Sequence, residues 1–263
     1  MLGLNWQSSW GFNQVNEKPS TAGTEKRVAG WVVGEGTGIG MGIWRVWVKV
    51  CGLTRMEEVE AAVRAGADAV GFVFAPSRRQ VTPEQVRNLT WAVPDGVDRV
   101  GVFVDERVER VQAVAEYCRL NVLQFHGSEP PEYCSSFDGE VIKAIRVLGT
   151  ESLREMERYR GAVDCYLLDT YVEGQHGGSG KTFEWSWARK AVEAGYPVIV
   201  AGGLGPDNVI LALREVNPQG VDASSGLETG GKKESEKITT FVQVVRAWEA
   251  AQGRRPRVQG GKG

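Results

Sequence analysis

A thiol and a carboxylate occupy matching places in two short apolar runs. Cys51 closes the run Val46-Trp47-Val48-Lys49-Val50, and Asp169 closes Cys165-Tyr166-Leu167-Leu168. A thiolate removes protons, and a carboxylic acid at an apolar rim donates them. Set on either side of one small substrate, the two would serve as general base and general acid. Each run is immediately followed by glycine or polar residues, as at the end of a strand. Gly52 permits close backbone approach, and a helix starting near Thr54 would lower the thiol pKa through its N-terminus. The other cysteines lack this setting: Cys118 and Cys134 fall in or beside helical patterns, and Cys165 begins a strand. Asp222 ends another apolar run and competes with Asp169 for the acid role, or else supports an anion-binding loop; spacing leaves both open.

Two glycine clusters offer backbone N–H groups to an anion. One is Ala201-Gly202-Gly203-Leu204 and the other Ala223-Ser224-Ser225-Gly226-Leu227. Arg78 and Arg79 follow Pro76-Ser77, and one inward-facing guanidinium would suffice to clamp a carboxylate with two parallel hydrogen bonds. Gln124 and His126 end a further strand as ligand-facing candidates, His126 otherwise reading as a loop histidine, while His176, among glycines, reads as a surface residue. Lys49 and Arg146 add positive potential near strand ends. The segment Gly177-Gly178-Ser179-Gly180-Lys181-Thr182 superficially resembles a nucleotide-phosphate loop but carries Gln175 where the first glycine belongs, so it reads as a lid. The series Gly34-Glu35-Gly36-Thr37-Gly38 lacks the preceding strand and following helix of a dinucleotide site.

These residues need a scaffold that gathers strand ends. Apolar strands are expected at 46–50, 69–74, 99–104, 122–125, 141–145, 166–168, 198–200 and 220–223, each followed by a helical pattern. Thr54 with Glu57, and Thr82 with Gln85, read as helix-capping boxes, and Gly66 as a helix stop. Helices are expected over 83–90, 106–117, 152–159, 183–194, 206–216 and 238–248, with a short one from residue 129. Eight strand–helix repeats predict an α/β fold, a parallel (β/α)8 barrel over 45–250, with all strand ends opening on one face.

Composition sets outer limits. The chain has 263 residues, 42% of them hydrophobic, which suits one large α/β domain. A formal net charge of -2 provides no global attraction for nucleic acid or an anionic membrane. The apolar runs are strand-sized, so no membrane span is expected. Four cysteines without a C-x-x-C pair point to a reducing, cytoplasmic setting, and two histidines make a histidine-rich zinc site unexpected. Residues 1–44 differ from the rest: tryptophans 6, 10, 31 and 44 lie among recurring glycines, which predicts a poorly ordered extension. Met41 is an alternative translation start, which the intact mass of the native protein would reveal. The Gly- and Arg-rich stretch 251–263 reads as a flexible tail.

Taken in order, Lys49-Val50-Cys51-Gly52-Leu53-Thr54, Gly66-Ala67-Asp68-Ala69-Val70-Gly71-Phe72, Gln124-Phe125-His126-Gly127, Leu167-Leu168-Asp169, Gly177-Gly178-Ser179-Gly180-Lys181-Thr182-Phe183 and Val221-Asp222-Ala223-Ser224-Ser225-Gly226 closely resemble the phosphoribosylanthranilate isomerase family of tryptophan biosynthesis. The resemblance runs from about Val46 to Trp248. It implies a cofactor-free Amadori rearrangement of a phosphorylated small molecule. It also implies Cys51 as general base, Asp169 as general acid, Arg79 as the anthranilate-carboxylate clamp, and Gly202, Gly203, Ser225 and Gly226 as phosphate-binding amides. The rivals are a related sugar isomerase with two aspartates, which the thiol argues against, and a non-catalytic phosphate-binding barrel. A monomer is the preferred assembly, with a homodimer as the alternative. Because the acid, the base and the anion loops all lie after residue 45, deletion of residues 1–40 is expected to leave turnover nearly intact. Steady-state kinetics on the truncated protein check this, and a large loss with the barrel still folded would assign the extension to the site.

Overall fold

A computed structural model describes residues 45–147, 149–169 and 182–253, together with a short antiparallel ladder pairing Arg27–Val28 with Trp31–Val32. The lid segment, His176 and most of the extension and tail lie outside the described residues. Eight strands form a closed parallel barrel. They are β1 (Trp47–Cys51), β2 (Ala69–Val73), β3 (Asp98–Phe103), β4 (Val122–Phe125), β5 (Glu140–Arg146), β6 (Cys165–Asp169), β7 (Val198–Ala201) and β8 (Gly220–Ala223). The ring closes where β8 pairs with β1, Asp222 opposite Lys49. All eight strands fall where the apolar runs predict them.

The helices are α1 (Met56–Ala65), α2 (Pro83–Thr90), α3 (Val108–Cys118), α4 (Pro131–Cys134), α5 (Thr150–Arg158), α6 (Thr182–Glu193), α7 (Val209–Val216) and α8 (Ser235–Ala251). Thr82 and Gln85 form the expected reciprocal cap on α2. Helix α1 departs from the expected Thr54/Glu57 box. Arg55 is the N-cap residue, and Glu58 accepts from the Thr54 and Arg55 N–H groups at 2.8 and 3.2 Å. Glu58 faces back toward the barrel and is buried, whereas Glu57 points to solvent and pairs with Arg55. Helix α7 begins at Val209 rather than at 206, because Asn208 turns its side chain back to the preceding loop.

Side-chain alternation along each strand creates two cores. Trp47, Ala69, Val100, Val122, Ile142, Ala144, Cys165, Leu167, Ile199 and Ala201 pack together inside the barrel. Val48, Val50, Val70, Phe72, Val141, Tyr166, Leu168, Val198 and Val200 pack outward against the helices. This phase directs Lys49 and Cys51, Gln124, Asp169 and Asp222 inward, each near the C-terminal end of its strand. Lys143 has the opposite phase. Its ammonium is buried outside the barrel, 2.9 Å from Glu129 and beside the Tyr159 ring. No helix among the described residues is long and apolar enough to cross a membrane.

At the other end of the barrel, Arg246 of α8 fastens the start of β1. Its guanidinium donates to the carbonyls of Val46 and Gly66 at 2.9 Å and to Asp68 at 2.6 Å. Glu249, one turn on, accepts from Arg246 and from the Val46 N–H. Removing the guanidinium strands several half-buried acceptors at once. Arg246→Ala is therefore expected to destabilise the fold by about 2–3 kcal/mol, while turnover of the remaining folded protein is unchanged, because the mouth is at the opposite end. Urea denaturation and steady-state kinetics on the same preparation check both parts.

Candidate active site

Inside the mouth, the structure builds upward from a buried lysine. Lys49 is fully buried and donates to Gln124 Oε1 at 2.7 Å and to Asp222 Oδ2 at 3.1 Å. Burial pulls its ammonium down, but Asp222 and Cys51 together overcome that effect and raise it, so the lysine stays charged. The Cys51 thiol lies beside it. Burial pushes the thiol up, Lys49 draws it down, Asp222 pushes it up, and Lys233 draws it down, for a net rise. The cation that favours the thiolate is thus a neighbouring side chain. The expected contribution of a helix N-terminus gives way to it, since α1 begins only at Met56.

Room for this pair comes from Gly71 on β2. A Cβ there would lie 2.9 Å from both Cys51 Sγ and Lys49 Cε, closer than either atom tolerates. Gly52 has a second task. Its φ of 74° suits glycine, and an added Cβ would strike Arg79 Cδ at 2.5 Å. The chain turns here so that Arg79 can lie over the strand end.

A line of polar contacts runs from the lysine to the carboxylate. Gln124 spends its oxygen on Lys49, so its amide nitrogen is the donor to His126 Nδ1, at 3.3 Å. That leaves the histidine proton on Nε2, which faces Asp169 Oδ2 at 3.8 Å. Burial lowers the His126 pKa and Asp169 raises it, with a net fall, so the imidazole is neutral near pH 7. The thiol and the carboxylate, on β1 and β6, therefore share one mouth and are linked through Lys49, Gln124 and His126. Asp222 Oδ1 is buried without a partner among the described residues.

The loops after β7 and β8 are pressed together. A Cβ on Gly226 would lie 2.1 Å from the Leu204 carbonyl oxygen, so only glycine permits this contact. Asn208 accepts from the Gly205 N–H at 2.8 Å and donates to the Gly203 carbonyl at 3.1 Å, fixing the first loop. Gly202 and Gly203 have φ values of 98° and 65°, and the space beyond the Gly203 Cα is open. Ser225 and Gly226 open a single turn of 3₁₀ helix, Ser225–Leu227. These are the backbone positions expected to cradle an anion. Ser224 donates to the Cys51 carbonyl at 3.1 Å, joining the second loop to β1.

Arg79 is largely inside, with its side chain 22% exposed, and Arg78 is outside at 57%. Both reach Glu228, which the sequence reading overlooked, as it did Lys233. Residues Glu228–Thr229 (β9) and Lys232–Lys233 (β10) form a hairpin after the barrel closes. Its turn residues Gly230 and Gly231 both have positive φ. The Gly-Gly pair between Glu228-Thr229 and Lys232-Lys233 is the signal that could have revealed it. Among the described residues, no group of three or more His, Cys, Asp or Glu side chains is arranged to hold a metal ion.

A closed (β/α)8 barrel that gathers a thiol, a carboxylate and two glycine-containing loops at its C-terminal mouth has the makings of a barrel enzyme: groups able to exchange protons and backbone able to hold an anion. Residues 48–244 match the family model described as N-(5'-phosphoribosyl)anthranilate (PRA) isomerase, and the chain belongs to that family. It is 49% identical over 200 residues to the N-(5'-phosphoribosyl)anthranilate isomerase of Desulforudis audaxviator, a match covering 76% of this chain and 97% of the relative. It is 46% identical over 204 residues to that of Moorella thermoacetica, covering 78% and 91%. The crystal structure of phosphoribosyl anthranilate isomerase from Thermotoga maritima superposes with a TM-score of 0.71 at 41% identity, covering 77% of this chain and 99% of that one. A second solved structure, in complex with reduced 1-(o-carboxyphenylamino)-1-deoxyribulose 5-phosphate, superposes with a TM-score of 0.69 at 38% identity, covering 77% and 99%.

The tight packing around Gly71 generates a prediction. Gly71→Ala must displace Cys51 and Lys49 together. Misplacement of reacting groups by about 1 Å costs on the order of 10²-fold in rate. Turnover is expected to fall by that factor with the circular dichroism spectrum unchanged, and near-native turnover would show that the thiol and ammonium have slack.

Proposed function

We propose that this chain catalyses the Amadori rearrangement of N-(5-phosphoribosyl)anthranilate to 1-(2-carboxyphenylamino)-1-deoxyribulose 5-phosphate, the isomerisation step of tryptophan biosynthesis. The observation that carries the residue assignment is the common inward phase of Cys51 and Asp169 at one barrel mouth, joined through Lys49, Gln124 and His126. Asp169 protonates the furanose ring oxygen, and the C1′–O bond breaks. A protonated Schiff base between C1′ and the anthranilate nitrogen remains, which acidifies the proton on C2′. Cys51, as thiolate, removes that proton, and the electron pair moves onto the substrate nitrogen. The resulting enolamine loses its O2′ proton and gains one at C1′. If Asp169 accepts the first and Cys51 supplies the second, both groups return to their starting forms.

Binding is assigned to groups away from the reacting carbons. The amides of Gly202, Gly203, Ser225 and Gly226 hold the phosphate, and Arg79 holds the anthranilate carboxylate. Asp222, whose Oδ1 is buried without a partner among the described residues, is assigned to a substrate hydroxyl. Gln124 and His126 line the side nearest Asp169. Such remote contacts fix the reacting atoms in place.

The test is a fluorescence assay following consumption of N-(5-phosphoribosyl)anthranilate. Cys51→Ser and Asp169→Asn are each expected to lower kcat by roughly 10²–10⁴-fold with modest change in KM. Gly203→Asp forces a side chain onto left-handed backbone (φ 65°) and puts a negative charge before the cradle, and a sharp rise in KM is expected. Arg79→Ala is expected to weaken binding more than Arg78→Ala. Near-native kcat in Cys51→Ser would remove the thiol as base and reopen the case for Asp222.

A further inference from the structure

One carboxylate beside the mouth holds three cations. Glu228, with a side chain only 5% exposed, accepts from Arg79 Nε at 2.6 Å and Arg79 Nη2 at 3.1 Å. It accepts from Arg78 Nη2 at 2.6 Å and from Lys233 Nζ at 2.8 Å. Lys233 is itself buried and also donates to the Ser224 carbonyl at 3.1 Å and hydroxyl at 3.3 Å. The hairpin β9–β10 makes this possible, because Glu228 and Lys233 are directly opposed across it. Three positive charges against one negative leave a local surplus, which suits an incoming anion. The guanidinium of Arg79 has two usable edges. Glu228 occupies the Nε/Nη2 edge, and Nη1 keeps its two N–H groups without a partner among the described residues.

We propose that Glu228 is a positioning residue for substrate recognition: it grips one edge of Arg79 so that the Nη1 side is presented to the aryl carboxylate of the substrate. This rests on the assignment of Arg79 as the carboxylate clamp. Unheld, a guanidinium on a flexible stem loses orientational freedom when the ligand binds, and that cost weakens the complex. Held by a buried carboxylate, it is aimed beforehand. Lys233 extends the bracket to Ser224 in the loop after β8. The cluster is stable to mild acid: burial pushes the Glu228 carboxyl up, but the hydrogen bonds from Arg79 and Lys233 dominate and bring it down to about 2. The carboxylate therefore remains charged across the range in which a substrate carboxylate is charged.

The two ligands that test this differ only at the carboxylate. One is reduced 1-(o-carboxyphenylamino)-1-deoxyribulose 5-phosphate, and the other is its phenylamino counterpart, made from aniline. Calorimetric titration of the full chain is expected to show that Glu228→Gln weakens binding of the carboxylated ligand by roughly 10–100-fold. Binding of the phenylamino ligand is expected to change by less than about threefold, since nothing in it meets the Arg79 fork. Glu228→Asp, which keeps the charge but draws it back by one methylene, is expected to give the same selective loss and serves if the first variant does not fold. Tighter or unchanged binding of the carboxylated ligand would overturn the proposal, because Glu228 would then be a competitor for Arg79 or a bystander. Equal weakening of both ligands would overturn it in favour of a purely structural role. If the unaltered protein turns over its substrate yet binds the two ligands equally, Arg79 is not the clamp, and both assignments fall at that point.

Discussion

The buried ammonium of Lys49 is the constraint from which the site follows. A charge inside a barrel has no water to stabilise it, so every neighbour must answer it. Asp222 supplies the opposite charge, and Gln124 must turn its oxygen inward. That single choice of amide orientation dictates which nitrogen of His126 carries the proton, and hence what Asp169 faces. On the other side the lysine lies beside Cys51, where it opposes the cost of forming a thiolate in a buried place. One buried stem thus orders the groups on β1, β4, β6 and β8.

In the proposed assignment, recognition is handled by a different physical means at each end of the substrate. The anion cradle uses uncharged backbone in loops packed so closely that Gly226 has no space for a side chain against Leu204. The clamp uses charged side chains, and these need a counterion of their own to stay in place. The hairpin that provides it is only a few residues long, yet it joins Arg79, Lys233 and Ser224 into one connected group. Rigid dipoles at one end and a braced guanidinium at the other both reduce the ordering that must accompany binding.

The sequence showed the scaffold more completely than the site. All eight strands were legible because a strand covered on both faces is a short apolar run, and the helices between them repeat the alternation. The cap on α2 was legible from Thr82 and Gln85, whereas α1 was misread by one position. Glu57 and Glu58 are adjacent and chemically alike, so residue type alone did not choose between them. Cys51, Asp169 and the glycine loops stood out as residue types at strand ends. Lys49 registered only as added positive potential, because spacing cannot say that its ammonium is enclosed by Asp222 and Gln124. Glu228 and Lys233 were not singled out in the sequence at all. Glu228 matters through a contact with Arg79, 149 residues away in the chain, and Lys233 through its bond to Glu228. Lys143, a charge in the middle of β5, is buried outside the barrel with Glu129 and beside the Tyr159 ring.

The Arg246 fastening has a consequence for how such a barrel is joined to other proteins. It holds the start of β1 against the last turns of α8, so the two ends of the barrel leave side by side from the face turned away from the mouth. A polypeptide appended to either end, or a linker tying one end to the other, would attach where no substrate passes. The same geometry allows the barrel to be opened elsewhere and the start of β1 joined to the end of α8 by a linker, so this barrel is suited to circular permutation.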